Sequence, residues 1–141
     1  MDLDNKDLRI ISVLNENSRV SIRNIAKKLN LRPSTVHQRI QKLIKNNIIE
    51  KFTLKLNNKS IGENFIVFLL ITTTKDLDSK FFNNKYVKEV FGITGEYDLI
   101  VKLKFKDVEE FNDFLIGLRK EQGTEKTLTM VVTANLKEVL N

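Results

Sequence analysis

Ser34, Gln38, Gln41 and Lys45 recur three and four residues apart, so on a helix they share one face, with Thr35, His37 and Lys42 on its flanks. Hydroxyls and amides offer donors and acceptors to base edges, and lysines offer charge to phosphates. The chemistry open to such a face is recognition of a nucleic-acid duplex. Other chemistries are poorly supplied. Cys is absent and His37 is the single His, so neither a thiolate site nor a His cluster can be assembled, and no metal, cofactor or catalytic set is expected.

A helix from Pro33 to Asn46 would hold that face outward, because Val36, Ile40, Leu43 and Ile44 form the opposite, apolar stripe. Pro33 suits a first helical turn, and Ser21 can cap a preceding helix over Ile22 to Leu29. Two short helices joined by a tight turn, Ser21 to Ile49, are the pattern of a helix-turn-helix. A third helix comes first, with Asp4 as cap, Asp7 in its first turn and Leu8, Ile11 and Leu14 as its apolar residues. Within this frame Ser34, Thr35, His37, Gln38, Gln41 and Lys42 are candidates for base or near-base contact, and Arg32, Arg39 and Lys45 for phosphates. Arg39 lies nearer the buried stripe, where holding the helices together is the alternative role.

Charge is unevenly placed. Residues 1–60 hold thirteen Lys or Arg against five Asp or Glu, net +8, whereas residues 61–141 hold eleven against thirteen, net −2. A positive field confined to the helical segment draws in a polyanion. Hydrophobic content of 41% and charged content of 30% describe a globular chain. The longest apolar run, Phe65 to Ile71, is too short to cross a bilayer, and no charged-then-apolar leader precedes Leu3. A cytoplasmic location without membrane partners is expected.

Ile48 to Leu56 alternates polar and apolar residues and reads as a strand leaving the first domain, and Asn57 to Gly62 carries turn residues. The expected division is therefore a DNA-binding domain at 1–56, a linker at 57–62 and a second domain at 63–141. Strands at Asn64 to Thr73, Tyr86 to Gly92, Glu96 to Phe105 and Thr127 to Ala134 alternate with helices at Asp76 to Asn84 and Asp107 to Arg119. Strand, helix, strand, twice over, is the ferredoxin-like βαββαβ plan. Its first strand is apolar on both faces. Two helices can cover only one, so the other is expected to pack on a second subunit, giving a homodimer with two basic heads.

Leu3-Asp4-x-x-Asp7, Arg19-Val20-Ser21-Ile22, Ser34-Thr35-Val36-x-x-Arg39-Ile40-x-x-Leu43 and Asn47-Ile48-Ile49 resemble the DNA-binding half of the Lrp/AsnC transcription regulators. Val87 to Gly92, Thr94-Gly95-Glu96-Tyr97-Asp98 and Thr127-Leu128-Thr129-Met130 resemble that family's effector and assembly half. The resemblance implies an α+β chain, with a three-helix winged helix-turn-helix domain joined to a ferredoxin-like domain. It also implies a sequence-specific regulator acting on double-stranded DNA as a dimer or octamer, with other transcription proteins as further partners and a small amino acid as effector in some members. The family's effector pocket lies between dimers, and Gly95, Asp98, Thr127 and Thr129 match its loop and strand. For Gly95 and Asp98 the alternative is purely structural, a turn needing positive φ closed by a carboxylate. Ile116 stands where some relatives place an acid, so a weak response to common amino acids is expected. Arg32 replaces the family's usual Ser before Pro33, so a side-chain cap is lost or moves to Ser34, and a phosphate contact is the expected gain. The same fold also carries sirohaem decarboxylases, an alternative that the absence of His from the second half disfavours; an effector-independent architectural DNA-binding protein is another.

Overall fold

The computed structural model describes residues 1–121 and 123–140. They form two compact units, one from Met1–Lys55 that also gathers Val139 and Leu140, and one from Leu56–Glu138.

In the first unit, α1 (Asn5–Glu16) opens on a reciprocal capping box: the Asp4 carboxylate accepts from Asp7 N at 2.9 Å and the Asp7 carboxylate from Asp4 N at 3.1 Å. Ser21 caps α2 (Ile22–Leu29) by accepting from Asn24 N at 3.1 Å. Asn30 then takes a left-handed conformation, φ 54° and ψ 48°, which lets Leu31 N reach back to Ala26 O at 2.9 Å and stops the helix. After that turn α3 (Pro33–Lys45) begins, with Pro33 at its first position. Ile10, Val13, Ile25, Ala26, Leu29, Val36, Ile40 and Leu43 make the shared core.

Three expectations for this unit are corrected. The buried face of α1 is Asp7, Ile10 and Val13; Leu8 is 54% exposed, and Ile11 and Leu14 only flank the core. A buried carboxylate disguised the phase of that stripe. Ile44 is exposed, leaving Val36, Ile40 and Leu43 as the seat of α3. Ile48 to Leu56 forms no strand, and no wing is built among the described residues of the unit. A strand needs a neighbour for its amides, and the rest of residues 1–55 is helix and turn.

The second unit is a four-stranded sheet, ordered β2-β3-β1-β4 with every neighbouring pair antiparallel. Its strands are β1 (Phe65–Thr73), β2 (Val87–Gly92), β3 (Leu99–Phe105) and β4 (Thr124–Val131), and its helices α4 (Ser79–Phe82) and α5 (Val108–Lys120). Two expected elements are shorter. The first helix shrinks to a single turn capped by Asp78, and β3 starts at Leu99 because Thr94 to Asp98 is spent on a turn. The segment expected as a linker, Asn57 to Gly62, is a run of turns inside this unit, where Asn58 Oδ1 accepts from Lys104 Nζ at 2.8 Å.

Val67, Leu69 and Ile71 of β1 meet Val101, Leu103 and Phe105 of β3 beneath Phe81, Phe111, Leu115 and Leu118 from the helices. Ile66, Phe68 and Leu70 point to the other face, where register sets Phe68 beside Lys102 and Met130, and Leu70 beside Ile100 and Leu128. Among the described residues of this unit no helix packs on that face. Leu128 and Met130 are 45% and 41% exposed there. Lys102 and Lys104 on the same face both pair with Glu138. Burial alone would lower the pKa of Lys102, but Glu138 and Glu89 outweigh it and the net shift is upward.

Candidate nucleic-acid interface

Along α3 the apolar and polar faces separate cleanly. Val36, Ile40 and Leu43 are 0%, 8% and 0% exposed, while Ser34, His37, Gln38, Gln41, Lys42 and Lys45 all stand in solvent, with Arg32 just before them. Thr35 is half-buried on the flank. Arg32 occupies the N-cap position and α3 receives no side-chain cap, so its first-turn amides are left to water or a ligand. Among the described residues no ion pair engages Arg32, Lys42 or Lys45. The face therefore presents donors, acceptors and uncompensated positive charge.

Arg39 is placed differently from the other candidates. Its Nη1 donates to Asp7 Oδ1 at 3.1 Å and also to the Asp4 carboxylate, tying α3 to the start of α1. Asp7 is the buried member, 1% exposed. The Asp7 amide and then the Arg39 guanidinium hold Asp4 well below the usual carboxylate range, at about 2. In return the Asp4 and Asp7 carboxylates raise the pKa of Arg39 further. Arg9 makes a second fastening, its Nη2 donating to Leu29 O at the end of α2, 3.2 Å away. Sequence reasoning missed Arg9. No local pattern announces a bond spanning twenty residues.

In the second unit, Gly95 has φ +113°, a conformation that favours glycine. Asp98 accepts from Thr73 N at 2.8 Å and from Thr73 Oγ1 at 3.4 Å, and its own amide donates to Ile71 O at 2.9 Å. Its carboxylate is thus engaged in joining the turn to β1. Thr127 and Thr129, half-buried on edge strand β4, pair with Ile71 and Leu69 on the helix side of the sheet. Asp98 and Thr127 flank the same β1 residue from opposite sides, about 10 Å apart at ordinary strand spacing. Ile116 on α5 is 50% exposed. A cavity of 320 Å³ includes Lys80, Tyr86, Glu110 and Phe114 in its lining, and another of 310 Å³ includes Ile66, Phe68, Lys102 and Glu138; none of the four candidate effector residues lines either. Among the described residues no cluster of His, Cys, Asp or Glu could hold a metal, and no helix is long and apolar enough to cross a membrane.

Comparison with known proteins covers both units. Residues 3–50 match the family of winged helix-turn-helix DNA-binding domains, and residues 67–140 the Lrp/AsnC ligand binding domain. The chain is 40% identical to an uncharacterized HTH-type transcriptional regulator of Pyrococcus abyssi, over 96% of this chain and 95% of the relative. It is 36% identical to the HTH-type transcriptional regulator FL11 of Pyrococcus furiosus, over 96% and 93%. Among solved structures, LrpC of B. subtilis superposes with a TM-score of 0.86 at 26% identity, covering 97% of this chain and 99% of the other. A transcriptional regulator of Neisseria meningitidis, solved as a complex with L-Met, superposes with a TM-score of 0.91 at 23% identity, covering 99% and 95%.

Proposed function

Because the chain belongs to the Lrp/AsnC family of HTH-type, DNA-binding transcription regulators, we propose that it reads duplex DNA with the outer face of α3 and that its second unit joins copies into a dimer. Gln38 and Gln41, with Ser34, Thr35, His37 and Lys42, meet base edges; Arg32 and Lys45 meet phosphates, Arg32 beside the uncapped amides of the α3 N-terminus. The observation that carries this reading is the division of α3 into a seated apolar stripe and an exposed polar face without compensating acids. Binding of a natural or random duplex should then fall steeply with salt. If each dimer neutralises about six to ten phosphates, affinity drops by about 10³ to 10⁵ between 50 and 200 mM. Affinity unchanged over that range refutes the phosphate contacts.

Dimerisation is supported by the open apolar face of the sheet, where Leu128 and Met130 are exposed beside Phe68 and Leu70. For an effector, Thr127 and Thr129 offer hydroxyls, while Gly95 and Asp98 shape the neighbouring turn rather than contact the ligand. With Ile116 in place of an acid, the response to the twenty amino acids is weak. A ligand at 100 times its Kd adds about 2.7 kcal/mol to stability. A melting-temperature shift of that size with one amino acid, abolished by Thr129→Val, would overturn the expectation of weak response.

A further inference from the structure

We propose that Arg39 serves recognition from behind the DNA-facing surface: clasped by Asp4 and Asp7, it is a positioning residue that fixes how far α3 is turned about its own axis. This rests on the reading of α3 as the recognition helix. The apolar seat of Val36, Ile40 and Leu43 fixes depth, but such contacts are non-directional and tolerate rotation. Charge-assisted hydrogen bonds do not. A turn of about 20° moves a group at the helix periphery by about 2 Å, more than the Arg39 bonds can follow and enough to carry Gln38 and Gln41 off a base edge. The clasp is anchored at its far end as well. Asp4 and Asp7 are locked to each other's amides by the α1 capping box, and Arg9 fastens α1 to the last carbonyl of α2. Directional bonds from α1 thus reach both members of the helix pair. Among the described residues Arg39 is the one α3 cation with an ion pair, and its guanidinium is directed to α1.

Positioning and direct phosphate contact predict opposite signs for one variant. Removing both carboxylates takes two negative charges from a basic head and raises its net charge by two, which simple electrostatics makes a tighter binder of any duplex. Loss of positioning makes it a poorer reader of the preferred one. The full-length protein is tested on a duplex it enriches from a random pool and on a scrambled duplex of the same composition, from 50 to 200 mM salt, with circular dichroism to verify folding. Asp4→Asn/Asp7→Asn is expected to lose about tenfold of the preference for the enriched duplex, the worth of a misplaced base contact, with the salt slope unchanged. Tighter binding of both duplexes with the preference intact overturns the proposal. So does Arg39→Gln lowering the salt slope by about 0.9 per head, the mark of a lost phosphate contact. Should Arg39→Gln fail to fold because it strands buried Asp7, the double Asn variant leaves no carboxylate unpaired and decides the matter. A preference that survives Gln38→Ala and Gln41→Ala refutes the reading of α3 itself, a result separable from the others.

Discussion

The two units use charge and apolar surface in opposite ways. In the first, the apolar residues of the three helices close on one another, and Arg32, Lys42 and Lys45 remain exposed without ion pairs. In the second, residues 61–141 carry a net charge of −2 and four lysines are paired, Lys88 with Glu63, Lys102 and Lys104 with Glu138, Lys126 with Glu96, while one face of the sheet keeps exposed apolar side chains. Surplus positive charge selects a polyanion, and surplus apolar surface selects another apolar surface. One chain therefore carries two partner preferences in two places, which fits the proposal that one unit holds DNA and the other a second copy.

The largest expected effect follows from removing the apolar surplus. Leu128→Lys with Met130→Lys should give a monomer by sedimentation, because both side chains are exposed in the single chain and the fold tolerates them. The loss of a tethered second head should weaken DNA binding by about 10² to 10⁴. A dimer that persists would place self-association elsewhere. Next in size is damage confined to the head. Leu43→Ala empties a fully buried position and should cost about 2–5 kcal/mol, melting the first unit early while the sheet's transition stays in place. A single shared transition, shifted as a whole, would show that the units do not fold separately.

Smaller, and specific to the head, is an acid sensitivity. The folded pKa of Asp4 is about 2 against an ordinary 3.8, so its contribution is present above about pH 4 and is lost as pH falls through 2. Asp4→Asn should lower the melting temperature of the first unit at neutral pH, and the gap to wild type should close between pH 4 and 2. A gap constant across that window would remove Asp4 from the account of the head's stability.

Local signals were legible in the sequence and remote ones were not. The caps at Asp4 and Ser21, Pro33 at the start of α3, and the Val36, Ile40, Leu43 stripe are set by neighbours three or four residues away. The phase of α1 is masked in the sequence because Asp7 occupies a buried position that hydrophobicity assigns to solvent. The alternation from Ile48 to Leu56 has the period of a strand, yet period supplies no partner, and none forms within the unit. The turn was legible at Gly95 and Asp98, but its extent, three residues into the strand expected from Glu96, was not, because the bond that fixes it, from Thr73 to Asp98, spans 25 residues. The face of α3 was readable from spacing alone, but the commitment of Arg39 to Asp4 and Asp7 joins residues 35 and 32 positions apart.

The strand order of the sheet also sets a timetable. The core of the head draws on residues among the first 55 alone, mostly within helices and between successive ones, and such local topologies close quickly. The central strand β1 pairs with β3 and β4, and β4 ends only at Val131. At about 5–20 residues per second of synthesis, the 76 residues between Lys55 and Val131 take about 4–15 s. Through that interval the growing chain bears a folded, positively charged head while the most apolar strand of the molecule waits for its last neighbour. The DNA-reading head is thus built before the sheet is complete, and the seconds before β4 arrives are when the chain is most open to aggregation.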